Sequence, residues 1–322
     1  MKGIWFTAKG KTEFLEEPEP KCVADTVLLK TLYSGLSNGT ERNKLMGGNY
    51  SKGSWPDRIA YQHVSEVMEC GENISRFQVG DIVFTATYPG HVPYHLARES
   101  DLIIKLPEGM DLPSATLMGV ASVSMHDARL ADVKVNDRVL VMGAGLIGLF
   151  ALQACLAMGA EVTIVDRNPD RLELAQKLGA DHVFDNTDEA AWEPLSEMPR
   201  FSVCLECSGG DVLDKIIGKK GWSGGILERE ARLVFVAGRF ETSFNFNAAS
   251  GRRLVTYSTS HFVQDDLDQL LRLAIKGVIR LKELVRDVVP IDQAIEIYDT
   301  LRDNKRKLLG TVFDWTGENK GE

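Results

Sequence analysis

The sequence predicts an α/β protein in which a doubly wound parallel sheet is joined to a β-rich second domain. From about residue 113 onward, runs rich in valine, isoleucine and leucine alternate with helical stretches, as in parallel sheets covered on both faces. The first hundred residues instead contain short apolar runs separated by glycine and proline. Because a chain of 322 residues is longer than a single hydrophobic core usually supports, two domains are expected.

The N-terminal part has the pattern of a partly open β-barrel, in which short strands follow one another through tight turns. The clearest strand segments are residues 26–31, 64–70, 81–85 and 102–105.

The second part predicts six strands, the number in a complete doubly wound nucleotide-binding fold. These strands are predicted at residues 138–142, 161–166, 182–184, 201–206, 232–237 and 254–258. Helices are predicted from Leu146 onward and over residues 169–178 and 265–278. The tail, with strands at 284–289 and 308–315 around a helix at 291–301, is expected to return to the first domain. An insertion-like segment at 218–230 could be a surface loop, a lid or an oligomer contact.

Composition excludes several classes of function. A net charge of −9 disfavours a nucleic-acid partner, which would require a basic face. The sequence contains neither a secretory signal nor a stretch of eighteen uninterrupted apolar residues, so we expect no contact with a membrane. Five scattered cysteines form no disulfide framework and favour a reducing cytoplasm.

The strongest motif is a glycine-rich turn between a predicted strand and an apolar helix. Gly143 permits the tight turn, Gly145 lets the backbone approach a pyrophosphate, and Gly148 lets the helix pack closely on the sheet. The free amides at the helix start, including those of Leu146 and Ile147, would then bind the phosphates, assisted by the helix dipole. The motif predicts a Rossmann dinucleotide-binding domain.

An acidic residue, Asp166, ends the next predicted strand. A carboxylate there accepts hydrogen bonds from the adenine ribose and repels the additional phosphate of NADP, so NAD is the expected cofactor. Arg167 and Arg171 argue in the other direction, because a flanking arginine can bind that phosphate.

Two further strand ends supply cofactor-binding candidates, because a dinucleotide lies across the carboxyl ends of the strands. They are Ser208 after one strand, and Gly238 and Arg239 after another. Cys204 and Cys207 form a CxxC without a second pair, which favours core packing over a metal or redox role.

With these motifs the sequence resembles the medium-chain dehydrogenase/reductase family, the alcohol dehydrogenase superfamily, over nearly its whole length. The resemblance rests on the glycine turn and on residues 34–41, 79–83, 105–109 and 288–291. It implies a GroES-like catalytic domain at 1–116 and 279–322 that encloses a Rossmann domain at 117–278, in a homodimer.

The resemblance also implies three zinc-ligand positions, and none carries a ligand here. Zinc members have a cysteine where Asn38 stands, a histidine where Tyr61 stands, and a cysteine or glutamate near Gly119. Tetrahedral zinc requires thiolate, imidazole or carboxylate ligands, so no metal is expected. The structural zinc lobe is also missing, since no cysteine occurs between Cys70 and Cys155.

The Ser-x-Gly-Thr-Glu segment and the Tyr61-Gln62 pair resemble a zinc-free branch of the family that includes bacteriochlorophyllide a dehydrogenases. This similarity implies a reaction type, the transfer of a hydride between an alcohol carbon and a nicotinamide. It implies nothing about a tetrapyrrole substrate.

Without zinc, a hydrogen-bond donor or a general acid/base must act on the substrate oxygen. By the resemblance, Thr40 aligns with a hydroxyl that relays protons, and Glu41 anchors its own loop. Tyr61 either donates to the substrate oxygen or only fills the vacated metal site, and both readings stay open. Asn38 and His91 are further catalytic candidates, the latter on a loop expected to border the substrate cavity. His63 and His126 are weaker candidates.

The sequence thus favours a zinc-independent, NAD-dependent enzyme that interconverts a secondary alcohol and a ketone. Two alternatives stay open. One is a reductase of enones or quinones using NADH or NADPH, which needs only cofactor placement and a proton donor. The other is a catalytically silent dinucleotide-binding protein, which loss of three ligands would also produce.

Overall fold

A computed structural model describes residues 1–188, 190, 192–219 and 224–319. The chain divides into two compact units, one formed by Met1–Gly119, Val263–Ile275 and Leu281–Glu322, the other by Val120–Phe262 and Lys276–Arg280. The domain boundaries that the sequence suggests stay a prediction. The helical segment after Phe262, which the sequence places in the second domain, groups here with the first unit.

The N-terminal segment begins with a β-hairpin and continues through short strands. Its strands are β1 (Lys2–Ala8), β2 (Lys11–Glu16), β3 (Val27–Gly35), β4 (His63–Cys70), β5 (Ile82–Thr85), β6 (Tyr94–Ala97) and β7 (Ile103–Lys105). Its helices are α1 (Asn38–Leu45) and α2 (Leu112–Ala115). Helix α1 was not predicted, because its sequence has no apolar periodicity.

Strands and helices then alternate along the chain. The strands are β8 (Arg138–Met142), β9 (Glu161–Asp166), β10 (His182–Asp185), β11 (Phe201–Glu206), β12 (Leu227–Phe235) and β13 (Val255–Ser258). The helices are α3 (Met118–Leu130), α4 (Leu146–Ala157), α5 (Pro169–Lys177), α6 (Trp192–Glu197), α7 (Leu213–Ile216) and α8 (Phe246–Arg252). Strand β12 begins inside the insertion-like segment, of which residues 220–223 lie outside the described part of the chain.

The tail contains two helices and two strands. They are α9 (Gln264–Ile275), β14 (Asp287–Pro290), α10 (Ala294–Asn304) and β15 (Thr311–Asp314). Strand β15 is shorter than predicted because Gly310 turns at φ +61, where a Cβ would lie 1.7 Å from the carbonyl oxygen of Leu284. The basic triplet Lys305–Lys307 forms a 3₁₀ turn directly after α10, close to the predicted helix end.

Within the described residues, the second unit contains a parallel sheet of six strands in the order β10-β9-β8-β11-β12-β13. The order reverses between β8 and β11, so a crevice opens at their carboxyl ends, where doubly wound folds bind ligands. Residues Val139–Met142 of β8 are almost completely buried, as expected of a central strand. The α/β class with this sheet is confirmed.

The first unit is built on a mixed sheet whose described strands run β14-β15-β3-β4-β5-β7, with β6 paired to β3. Strands β14 and β15 are parallel, whereas β15 and β3 are antiparallel. The tail therefore supplies two strands to the sheet that begins near the N-terminus. One apolar cluster of this unit joins Phe6 of the hairpin with Tyr298 of α10 and Phe313 of β15. No helix among the described residues is both long enough and apolar enough to cross a bilayer.

Candidate functional site

The glycine turn after β8 leads directly into α4, with Gly145 at the N-cap position. Gly143 has φ +100, a conformation that favours glycine. A Cβ on Gly148 would lie 1.8 Å from the carbonyl oxygen of Gly143, so no larger residue fits. A Cβ on Gly145 would instead meet nothing within 4 Å. Gly145 thus leaves open space in front of the helix start, where a pyrophosphate would require it.

Asp166 holds this turn against the end of β9. Its Oδ2 accepts a hydrogen bond from the Ala144 amide at 2.6 Å, and its Oδ1 accepts bonds from the amides of Arg167 and Asn168 at 2.8 and 2.9 Å. The carboxylate is therefore fixed beside the glycine turn. Arg167 is exposed and Arg171 is half-buried on α5. Leu146 is buried at the start of α4, and the carbonyl of Ile147 accepts a hydrogen bond from the Ser124 hydroxyl at 2.8 Å.

The loops after β11 and β12 meet at Glu206, a residue that the sequence reasoning did not select. Its Oε1 accepts hydrogen bonds from the Ser208 amide and hydroxyl and from the Gly209 amide, and its Oε2 accepts one from the Arg239 guanidinium. Ser208 also lies against the glycine turn, since a Cβ on Gly143 would lie 3.1 Å from its Cα. Gly238 is exposed at the end of the second loop. A carboxylate that ends a central strand is the signal that could have identified Glu206.

In the first unit, Tyr61 lies beside the start of α1. Its hydroxyl is 3.3 Å from the Ser37 hydroxyl, and its ring centroid is 5.6 Å from that of Tyr88. Burial raises the pKa of Tyr61 well above its ordinary value, and hydrogen bonds with Ser37 and Thr40 offset the rise only in part. Tyr61 is therefore a neutral phenol at physiological pH. The structure brings Tyr61 and Thr40 together, and their catalytic roles stay predictions.

Asn38 is held by the C-terminal segment of the chain. Its side-chain amide donates to the carbonyl of Leu308 at 2.8 Å, which fixes the first turn of α1. Gln62 occupies the space in front of Gly119, because a Cβ on Gly119 would lie 2.7 Å from the Gln62 Cγ. Among the residues with a described placement, no group of three or more His, Cys, Asp or Glu could hold a metal ion.

His91 does not lie on an open cavity wall, contrary to the sequence expectation. Its ring is 1% exposed, with Nδ1 2.7 Å from the Ser34 hydroxyl and Nε2 3.1 Å from Oε2 of Glu41. Glu41 also accepts bonds from the Ser37 amide and the Tyr298 hydroxyl. Both ring nitrogens are therefore committed to a buried network that anchors the loop before α1, the structural role expected for Glu41. A catalytic role of His91 stays a prediction.

Two further histidines are completely enclosed near this network. His63 contacts the Gly90 carbonyl at 2.9 Å, and His95 lies 3.2 Å from the Thr85 hydroxyl. Burial lowers the pKa of both, that of His95 to about 3. Each is thus neutral in the folded protein. His126 lies on α3.

The buried histidines predict a loss of stability in acid. Between the ordinary histidine pKa of 6.5 and the His95 pKa of about 3, only the unfolded chain takes up this proton. The free energy of unfolding should therefore fall with falling pH in that window, by up to ~1.4 kcal/mol per pH unit for each such group. Urea denaturation at pH 7 and pH 5 would show a smaller pH effect in His95→Asn than in the wild type. An equal pH effect in the two proteins would contradict this prediction.

Comparisons with known proteins agree with this geometry. A family model for zinc-binding dehydrogenases matches residues 147–276. An uncharacterized zinc-type alcohol dehydrogenase-like protein of Escherichia coli is 26% identical, with 92% of this chain and 93% of that protein covered. A probable D-xylulose reductase A of Arthroderma otae is 32% identical, with 70% and 65% covered. The crystal structure of galactitol-1-phosphate dehydrogenase from Escherichia coli superposes with a TM-score of 0.82 at 19% identity, covering 97% of this chain and 99% of that one.

By sequence and by fold, the chain is related to the medium-chain, zinc-type alcohol dehydrogenase superfamily. The predicted family is thereby confirmed at the level of the superfamily, and with it an oxidoreductase related to enzymes that act on alcohols. The superfamily usually binds zinc, and the assignment of Asn38, Tyr61 and Gly119 to the ligand positions of its zinc members stays a prediction.

Proposed function

We propose that this protein is a zinc-independent, NAD-dependent oxidoreductase that interconverts a secondary alcohol and a ketone. The observation that carries the proposal is the buried Tyr61 phenol, which stands beside two hydroxyls where zinc members have a metal ligand. Names of relatives such as sorbitol dehydrogenase support a secondary hydroxyl as the reacting group. Membership of the zinc-free branch, a homodimeric state and a cytoplasmic location stay predictions.

The residues present fit a dinucleotide. Gly143, Gly145 and Gly148 would bring the amides of Leu146 and Ile147 to the pyrophosphate, and Asp166 would bind the adenine ribose. Ser208, Gly238 and Arg239 would border the rest of the molecule. When bound, the nicotinamide accepts a hydride from the alcohol or supplies one to the ketone.

The residues present do not fit zinc. The Asn38 amide is engaged by the Leu308 carbonyl, Tyr61 is a neutral phenol, and the Gly119 position has no room for a side chain beside Gln62. A site with three protein ligands of the catalytic zinc type cannot be assembled from these groups. We therefore assign the stabilisation of negative charge on the substrate oxygen to hydrogen-bond donors of the protein.

Tyr61 is proposed to donate a hydrogen bond to the substrate oxygen. Negative charge builds on that oxygen when the alcohol loses its proton before oxidation, or when the ketone carbon receives a hydride in reduction, and a preorganised donor in a buried site stabilises it. Because its pKa is raised, Tyr61 keeps its proton across the working pH range. The hydroxyls of Ser37 and Thr40 lie beside it, and they would relay the alcohol proton to water at the partly exposed Thr40.

The test is turnover of a panel of secondary alcohols and polyols with NAD, before and after treatment with a chelator. We expect NAD-dependent oxidation that survives the chelator, and elemental analysis that finds far less than one zinc per chain. One zinc per chain, with activity lost on its removal, would overturn the zinc-independent part. Turnover of enones alone would favour the reductase of activated double bonds, and NADH binding without turnover would identify a silent binding protein.

Replacement of Asp166 should reverse the cofactor preference. Asp166→Ser removes the negative charge that opposes a 2′-phosphate and leaves Arg167 and Arg171 nearby. We expect NAD to bind about tenfold more weakly and NADP to bind more tightly, since one lost charged hydrogen bond corresponds to about that factor. Fluorescence titration with NADH and NADPH measures both. An unchanged ratio of the two dissociation constants would show that Asp166 does not face the ribose.

A further inference from the structure

Glu206 lies at the point where the strand order of the parallel sheet reverses. It is the last residue of β11 and pairs in register with Met142 at the end of β8 and with Phe235 at the end of β12. The carboxylate is 0% exposed, and Arg239 is 20% exposed. A buried acid therefore stands directly behind the two loops that border the crevice.

All described donors to this carboxylate come from those two loops. Ser208 and Gly209 follow β11, and Arg239 follows β12. The backbone of Glu206 contributes as well, since its carbonyl accepts bonds from the amides of Val236 and Ala237 at 3.1 Å. One residue thus ties the loop after β11 to the loop after β12.

A contribution to folding stability does not explain why a buried ion pair of Glu206 and Arg239 stands at this position. Removing a carboxylate from water costs several kcal/mol, and a buried ion pair replaced by apolar side chains is often neutral or more stable. What the ion pair of Glu206 and Arg239 does provide is a fixed position of the two loops relative to each other. Ser208 lies against Gly143, so a shift of the loop that Glu206 holds would change the space beside the glycine turn.

We propose that Glu206 is a positioning residue of the dinucleotide site, which sets the loops after β11 and β12 for binding. The inference rests on the proposed dinucleotide-binding function. Glu206 acts through Ser208 and Arg239 and does not itself contact the cofactor. Neutralising it should release Arg239 and loosen both loops while the sheet behind them persists.

The same sheet offers a matched control at its opposite end. Asp137 lies just before β8 and is 7% exposed. Its carboxylate accepts hydrogen bonds from the guanidinium of Arg232 at 2.6 Å, the hydroxyl of Ser202 at 2.8 Å and the amide of Lys134 at 2.9 Å. The donor types are those of Glu206, but they lie at the amino ends of the strands, away from the crevice.

The experiment compares Glu206→Gln with Asp137→Asn by thermal unfolding and by NADH titration of the full chain. Both variants should lose stability, because each leaves an arginine without its carboxylate. Only Glu206→Gln should weaken NADH, by about tenfold. In steady-state assays its KM for NAD should rise, and its KM for the alcohol should stay unchanged.

Equal NADH affinity in Glu206→Gln and the wild type would overturn the inference, and so would an equal loss in Asp137→Asn. If Glu206→Gln does not fold, Glu206→Asp keeps the charge but shortens the side chain, and it should weaken NADH in the same sense. A wild-type protein that binds no NADH would instead refute the proposed function, and the inference with it. The wild-type titration therefore separates the two failures.

Discussion

Replacing Tyr61 by phenylalanine is expected to lower kcat for alcohol oxidation by about 10²–10³, the usual effect of removing one preorganised donor from a reacting oxygen. The substitution keeps the ring, its contact with Tyr88 and the filling of the site. It removes only the hydroxyl beside Ser37. Steady-state kinetics in both directions, with NADH affinity measured separately, would show a loss in kcat at unchanged cofactor binding.

The control is Tyr88→Phe. Tyr88 is 54% exposed. It has no assigned contact with the reacting oxygen, so loss of its hydroxyl should change kcat little. If Tyr61→Phe retains full activity, the ring of Tyr61 only fills the place of the metal, and the donor must be sought elsewhere, first at Thr40.

Two glycines of the same turn are expected to respond in opposite ways to alanine. In Gly145→Ala the new methyl group meets nothing within 4 Å, so stability should fall by less than ~1 kcal/mol. The methyl group would enter the space reserved for the pyrophosphate, and NADH should bind about 100-fold more weakly. Titration of the folded variant with NADH measures this effect.

Gly148→Ala supplies the contrast. Its methyl group would lie 1.8 Å from the Gly143 carbonyl oxygen, and the helix would have to move away from the turn. We expect a loss of at least ~3 kcal/mol in the free energy of unfolding, at the upper end of overpacking effects. Gly145→Ala with unchanged NADH affinity would contradict the assignment of this turn to the pyrophosphate.

Much of the parallel sheet could be predicted because its central strands β8, β9 and β11 are largely buried on both faces. Their apolar runs, such as Arg138–Met142 and Phe201–Glu206, coincide with observed strands. In strands that include exposed residues, the apolar sequence pattern is weaker. Strand β12 begins at Leu227, earlier than predicted, because its first residues include the charged Glu228, Arg229 and Glu230. Helix α1 has no apolar stripe and was missed for the same reason.

In the candidate site, too, some residues could be predicted from the sequence and others could not. Glycines in a motif have a local backbone function, so their roles could be inferred from spacing alone. The position of His91 could not, because its partners Ser34 and Glu41 are 57 and 50 residues away in the chain. Glu206 was overlooked because its importance comes from Arg239, 33 residues further on. Contacts between distant residues depend on tertiary packing.

The pairing of β15 with β3 also orders events during synthesis. Strand β3 pairs with β4 and β6 from the N-terminal segment, but it cannot pair with β15 until residues 311–314 have left the ribosome. The parallel sheet draws its strands from residues 138–258, which emerge earlier. Although domains generally fold from the N-terminus during translation, the sheet that begins near the N-terminus here obtains its last two strands, β14 and β15, only after the parallel sheet has been synthesised. A nascent chain halted before residue 311 should carry a protease-resistant parallel sheet preceded by a leading segment that is cleaved more readily.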